Sequence, residues 1–414
     1  MHQADLPALA RAILTTLLER AEQPGRRQVV RVRITRRDHE SYYSAQDANP
    51  RQATNRALSQ CAAIGLITLH WQRWEEQNWL EAVDLQPGGL TALYALLGRT
   101  PRDTQEQALL RLLAAQQPQA PWQAAFVAWA QERISAGKTA PPLERADLVG
   151  SADLLTALAG LAELRTPTLE RALSVRLFRD SKRLAGLRSG IIRVLRQHDP
   201  ETALYGDDDA ALLRAYLLER VPEYVPIAGP LTLCPASGGP SLDLSPFVPS
   251  LALPSVSLRN AAMSALEAEA VLTVENLTSF SEAALIRPAN LLLLYTGGFA
   301  SPSLIGLLRT VRSYAPTIKL WHWGDLDAGG LRILAHLRRQ IGPVAALAMD
   351  AATLVHYQAA SQPLTAGDRR ALEELRNHSL LTDQIPLIDQ LLANGCKLEQ
   401  EAIAAEDVLG RLAV

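Results

Sequence analysis

Apolar residues recur at helical spacing between residues 6 and 22 (Leu6, Leu9, Ile13, Leu17, Leu18) and predict an amphipathic first helix. A strand follows at residues 29–34, then a polar loop carrying Tyr42 and Tyr43, then a helix over residues 51–64 stopped by Gly65. Residues 66–71 and 79–85 read as two strands around a polar turn. Helix, strand, helix and two-stranded ribbon is the order of a winged helix, whose second helix can lie in a groove of DNA. Pro101 opens a helix-rich middle, with apolar repeats at residues 109–113, 126–134 and 152–164. Between the last two, residues 138–143 shift to Lys, Thr and two prolines, which marks a linker or a break between helical layers. Residues 221–260 are rich in Pro and Gly and predict irregular or short-strand structure, with a β-ribbon at residues 224–233.

From residue 265 the pattern alternates. Short apolar runs at 271–274, 291–296, 318–323 and 344–349 read as buried strands, and residues 304–314 between them read as a helix, with Leu304, Leu307, Leu308 and Val311 on one face. Four such strands separated by helices predict a parallel, doubly wound sheet with right-handed crossovers. The runs end on Glu275-Asn276, Gly297-Gly298, Gly324-Asp325-Leu326-Asp327 and Asp350. Parallel strands present their carboxyl ends on one edge, where open α/β sheets bind ligands.

Composition narrows the setting. The chain has 414 residues, enough for about three domains, and nearly half of them are apolar. The formal charge of −2 argues against a uniformly basic nucleic-acid binder but leaves room for local patches. Cys61, Cys234 and Cys396 form no CxxC pair and no zinc spacing, which fits a reducing, cytoplasmic compartment. The N-terminus shows no signal-peptide pattern, and no apolar run reaches the ~18 residues of a membrane helix.

Charge is segregated. Arg26, Arg27, Arg31, Arg33, Arg36 and Arg37 put six cations and no acid around the first strand. Residues 165–196 hold nine Lys and Arg (among them Arg176, Arg179, Lys182, Arg183 and Arg188) against Glu170 and Asp180, a local charge of +7. Both runs suit the phosphates of duplex nucleic acid; the bland readings are a solvated face or arginines answering acids such as Asp207–Asp209.

Glu275, Asp325 and Asp327 come from separate parts of the chain and can converge at the sheet edge. All-oxygen anionic ligation suits Mg²⁺ or Mn²⁺, and such a cation polarises phosphoryl oxygens. Glu275, on its own strand, suits general acid–base work. Alternatively, Asp327 caps the following helix and Asp325 is solvated. No GxGxxG or GxxxxGK[ST] is present, so dinucleotide or NTP cradling has no support.

Glu275 after a first strand, a Gly-rich second strand end and Asp-Leu-Asp about fifty residues on resemble the Toprim fold of topoisomerases, primases and some nucleases. More closely, Leu-Thr-Val-Glu-Asn-Leu-Thr-Ser-Phe (272–280), Trp-Gly-Asp-Leu-Asp-Ala-Gly-Gly-Leu-Arg-Ile-Leu (323–334), Lys-Leu-Glu-Gln-Glu (397–401) and Phe-Arg-Asp-Ser-Lys-Arg-Leu (178–184) resemble the JetD (MksG) family, nuclease subunits of Wadjet plasmid-defence systems. The likeness covers residues 165–414 well and the N-terminal arm only in layout.

The resemblance implies three parts: a winged-helix-like arm (1–98), a helical basic DNA-binding region (99–225) and an α/β Toprim catalytic domain (226–414). It implies a homodimeric Mg²⁺- or Mn²⁺-dependent endonuclease, related in layout to the topoisomerase VI A subunit. The resemblance further implies that such an endonuclease cuts closed circular plasmid DNA beside a condensin-like SMC–kleisin–kite complex. Glu275, Asp325 and Asp327 would be the metal and catalytic acids, with Glu399 or Glu401 completing the site. His322 is expected to pack or face solvent beside the strand rather than ligate. A tyrosine-nucleophile route is the enzymatic alternative, since residues 35–43, ending in Tyr42-Tyr43, faintly echo the topoisomerase VI motif. A DNA-binding adaptor is the non-enzymatic one.

Overall fold

The computed structural model describes residues 6–22 and 29–412. The chain forms two compact units, one from residues up to Gln117 together with Ala125–Leu155, the other from Pro118–Ala124 together with residues from Thr156 onward. Both mix helix and sheet. Among the described residues no helix is long and apolar enough to cross a membrane.

In the first unit, helix Ala8–Ala21 buries Ile13, Leu14, Leu17 and Leu18, the stripe its spacing predicts. Strands Arg31–Arg33, Leu80–Leu85 and Ile67–Trp71 form an antiparallel sheet with Leu80–Leu85 in the middle. Helix Asn49–Ala63 adds Leu58 and Cys61 to the same core. The element order thus follows the sequence reading. The cations of this region fare differently from one another. Arg31 is tied to Asp84 through two hydrogen bonds (2.6 and 2.8 Å), and His70 reaches the same carboxylate at 2.8 Å. Arg33, Arg36 and Arg37 are exposed, while Arg26 and Arg27 lie outside the described residues.

The tyrosines of residues 35–43 serve the core. The fully buried Tyr42 hydroxyl donates to Asn55 Oδ1 (2.8 Å) and accepts from the Leu80 backbone N–H (2.8 Å). Tyr43 donates to the Ile34 carbonyl at 2.8 Å and stacks on Trp79. Burial raises the pKa of both phenols.

The second unit is built on a six-stranded sheet. Ala270–Val274 lies between Leu291–Tyr295 and Lys319–Trp323, all parallel, and Ala345–Ala346 continues the parallel run beside Lys319–Trp323. Two differences from the sequence reading stand out. Residues 344–349 supply only a two-residue strand, because Ala348 turns into the left-handed region (φ 55°). The sheet is also mixed: Tyr224–Ala228 and Leu251–Pro254 add antiparallel strands beyond Leu291–Tyr295.

The ribbon expected at residues 224–233 is therefore not formed. Tyr224–Ala228 joins this sheet, whereas Leu231–Pro235 pairs with Ala261–Leu266 and Leu242–Asp243 in a separate antiparallel sheet. Gly229 makes the parting (φ 130°); a Cβ there would stand 2.4 Å from the Leu291 carbonyl oxygen, so only glycine permits the backbones to approach this closely.

Helix Glu170–Phe178 and helix Arg183–His198 carry the basic segment. Their connection is stitched by the buried Ser174 hydroxyl, which donates to the Asp180 carbonyl and accepts from Leu184 N–H at 3.0 Å. Removing the Tyr42 hydroxyl leaves the Leu80 N–H and Asn55 Oδ1 without their partner. Tyr42→Phe is therefore expected to cost about 1–3 kcal/mol in urea unfolding, with an unchanged m-value.

Candidate functional site

The site grows out of strand register. Val274 and Trp323 are paired neighbours in parallel strands, so the residues just beyond them, Glu275 and Gly324, leave the sheet side by side. The Glu275 N–H donates to the Trp323 carbonyl (3.1 Å), and its Oε2 accepts from the Asp325 N–H (3.3 Å). Gly324 keeps this gap open, because a Cβ there would lie 2.5 Å from Glu275 Oε2 and 2.9 Å from His322 Nε2. His322 itself is fully buried, with Nδ1 3.0 Å from Thr273 Oγ1, as a packing residue should be. Burial depresses its pKa to about 3, so the ring is neutral.

Asp327 is the N-cap of helix Ala328–Ile341, its Oδ1 accepting from Gly330 N–H at 2.9 Å. The capping role allowed for in the sequence is thus real, and it commits only one oxygen. Asp350, which ends the fourth run, caps the next helix through Thr353 N–H (2.7 Å) and meets Arg411 at 3.1 Å.

The residue the sequence reading missed is Gln400. It is fully buried, and three of its polar atoms are engaged. Its N–H donates to Asp325 Oδ1 (2.7 Å), its Nε2 to the Trp323 carbonyl (3.0 Å), and its Oε1 accepts from Asn276 N–H (2.8 Å). One side chain thereby fixes both acidic turns. Leu326, between the two aspartates, holds the same segment by exchanging backbone hydrogen bonds with Leu398 (2.9 and 3.2 Å). Glu399 and Glu401, favoured from sequence, both point outward. Glu399 accepts from Gln362 (3.1 Å) and Glu401 from Asn276 Nδ2. Both still act on Asp325 electrostatically, and Glu401 also on Glu275.

The electrostatics are one-sided. Burial, then repulsion from Asp325, Asp327 and Glu401, lifts Glu275 to about 8 against the help of the Asp325 N–H. Burial and repulsion from Asp327, Glu401 and Glu399 lift Asp325 to about 6, opposed by the Gln400 N–H. No Lys or Arg features among these influences. Among the described residues no three His, Cys, Asp or Glu are already gathered into a metal cage. A pair of carboxylates with free oxygens and no counter-cation fits Mg²⁺, which keeps several waters and takes few protein ligands beside substrate phosphates.

The basic segment divides in two. Arg176, Arg179 and Lys182 are exposed, whereas Arg183 is half-buried. Arg188 is bound to the buried Glu170 through hydrogen bonds of 2.7–3.0 Å, and Arg196 pairs with Asp209 at 2.7 Å.

Two outcomes follow from this geometry. Glu275 takes up a proton on folding between its ordinary 4.5 and about 8, so stability of the metal-free protein is greatest below that window and falls as pH rises through it. Urea unfolding in EDTA at pH 5 to 9 should show this slope, and Glu275→Gln should flatten it. Gln400→Ala leaves the Asn276 N–H unpaired and the Trp323 carbonyl with the Glu275 N–H as its remaining donor, and should destabilise the protein by about 1–3 kcal/mol. It should also move the pH slope, whereas an equally destabilising change remote from the acids should not.

Residues 242–412 match the family described as Wadjet protein JetD, C-terminal. A curated Wadjet protein JetD of Bacillus cereus (strain Q1) is 25% identical over 409 residues, covering 94% of this chain and 97% of the relative. The matched region contains Glu275, Asp325, Asp327 and Gln400 together, and the likeness to JetD of the Wadjet system runs along nearly the whole chain.

Proposed function

We propose that this protein is a Mg²⁺- or Mn²⁺-dependent DNA endonuclease of an anti-plasmid defence system. It cleaves circular duplex DNA as a homodimer together with a condensin-like SMC complex. The observation that carries the reading is the pair Glu275–Asp325, two carboxylates held together at a sheet edge with raised pKa values and no cation to answer them. The mixed sheet carrying them is read as a Toprim domain, and the helix–strand–helix–ribbon order of the first unit as a winged-helix arm. The three-part division at residues 98 and 225 belongs to the same reading, and the likeness to JetD of the Wadjet system supports a multi-subunit assembly.

In this reading Asp325, Asp327 and Glu275 hold the cation, and Glu399 and Glu401 surround it with further negative charge. When bound, the cation polarises a phosphoryl oxygen and stabilises charge on the attacked phosphodiester. Glu275, with its high proton affinity, moves the proton exchanged as water adds and a sugar oxygen departs. Gln400 keeps the two turns in register while this happens. Arg176, Arg179, Lys182 and Arg183 meet the phosphates. Arg188, bound to Glu170, holds their two helices together.

The tyrosine route has a specific observation against it. Tyr42 is buried with its hydroxyl donating and accepting, and Tyr43 donates to a backbone carbonyl, both with pKa values raised rather than lowered. A phenol needs activation to act as a nucleophile.

A supercoiled-plasmid assay with Mg²⁺ or Mn²⁺, with and without the SMC partners, tests the proposal. Protein-free cuts reduced about a hundredfold or more in Glu275→Gln and Asp325→Asn are expected. Protein-linked ends lost in Tyr43→Phe would instead assign the tyrosine, and intact DNA binding with no cutting under any condition would leave an adaptor. In binding titrations, Arg179→Ala with Lys182→Ala should reduce the salt slope by about two. Arg188→Ala should act mainly through stability.

A further inference from the structure

A second concavity of the same unit lies away from the acids. It has a volume of about 250 Å³, and its walls include Tyr205, Phe299, His336, Arg214 and Arg309. Phe299 follows directly on the Gly297-Gly298 turn at the end of strand Leu291–Tyr295, and His336 sits on the helix that Asp327 caps. Three rings form one wall: Tyr205 and Phe299 lie 5.0 Å apart, and each meets His336 edge-on at 5.7 and 5.6 Å.

The polar groups here are unsatisfied. His336 is only 5% exposed, and neither ring nitrogen closes a hydrogen bond, although the Ala300 carbonyl lies near the ring. Burial lowers its pKa to about 4, so at neutral pH the ring offers one N–H and one lone pair. Buried polar atoms without partners call for an explanation, a bound group among them. Among the described residues the Arg214 guanidinium closes no hydrogen bond or ion pair, and Glu219 is an acid in its field. Arg309 is held by Gln340, its Nε to the backbone carbonyl (3.0 Å) and its Nη2 to the side-chain oxygen (2.8 Å), which fixes the guanidinium and leaves Nη1 available.

We propose that this cavity binds a single nucleotide, its base against the Tyr205–Phe299–His336 wall and its phosphate at Arg214 and Arg309. A nucleobase presents a flat face to the rings and a donor–acceptor edge that can engage a His336 ring nitrogen. A phosphate supplies acceptors for Arg214 and for the Nη1 of Arg309 that Gln340 does not engage. A volume of about 250 Å³ takes a group the size of one nucleobase, leaves the phosphate at the exposed Arg309 and half-buried Arg214, and excludes a duplex. None of the carboxylates at the sheet edge lines the cavity, so the inference stands whether or not those acids cleave DNA.

Calorimetric titration of the full chain in EDTA, with the four deoxynucleoside 5′-monophosphates, inorganic phosphate and the matching nucleosides, reads the site without any cation. At least one nucleotide is expected to bind about tenfold or more tightly than phosphate or nucleoside alone. His336→Phe keeps a ring but removes its nitrogens, and Arg214→Gln removes the charge. Each should weaken binding by about tenfold with an unchanged melting temperature. A 5′-phosphorylated tetranucleotide that competes with the mononucleotide identifies a DNA strand end as the source; failure to compete identifies a free nucleotide. No nucleotide binding at millimolar concentration, or binding unaffected by both substitutions, overturns the assignment.

Discussion

Repulsion between Glu275 and Asp325 is the constraint around which the second unit is arranged. The parallel register of Val274 with Trp323 forces the two acidic turns together; burial raises both acids, and Glu275 also feels the charge of Asp325. The fold contains this repulsion with backbone donors: the Asp325 N–H faces Glu275, and the Gln400 N–H faces Asp325. Such donors favour the charged forms without supplying a full positive charge. The site therefore stays hungry for a cation or a proton, which is the state a hard-metal site needs before metal arrives.

How far the sequence revealed this depends on the kind of residue. The Glu275 turn and the Gly324–Asp327 turn were legible because short apolar runs stopping at acids leave few ways to fold. The pairing of the outer strands was not, although the ribbon reading did place a strand near residue 224. Tyr224–Ala228 contains Pro226 and Leu251–Pro254 ends in proline, a residue that ordinarily argues against a strand, and their partners lie far along the chain. The 344–349 run was over-read because its apolar residues gave no hint of the left-handed turn at Ala348.

Gln400 is the instructive omission. The charged residues on either side of it are the more conspicuous, yet the local alternation marks it. Leu398 and Gln400 are buried while Glu399 and Glu401 are exposed, so a period of two turns the glutamine inward with the leucine. A buried amide between two solvated acids is a stronger sign of a built site than the acids themselves. The basic helices carry a related lesson: summed charge marked the segment, but Arg188 and Arg196 are engaged within the fold, and only contacts separate them from Arg176, Arg179 and Lys182.

The clamp also sets an order of events during synthesis. Gln400 lies 124 residues after Asn276 and 75 after Asp325 in the chain. A ribosome that has released both acidic turns has thus yet to deliver the group that locks them together. Until it does, the acids sit on a growing chain without their common brace, and the edge of the sheet matures last. For a protein read as a DNA-cutting enzyme, late completion of the site is a built-in delay between translation and competence.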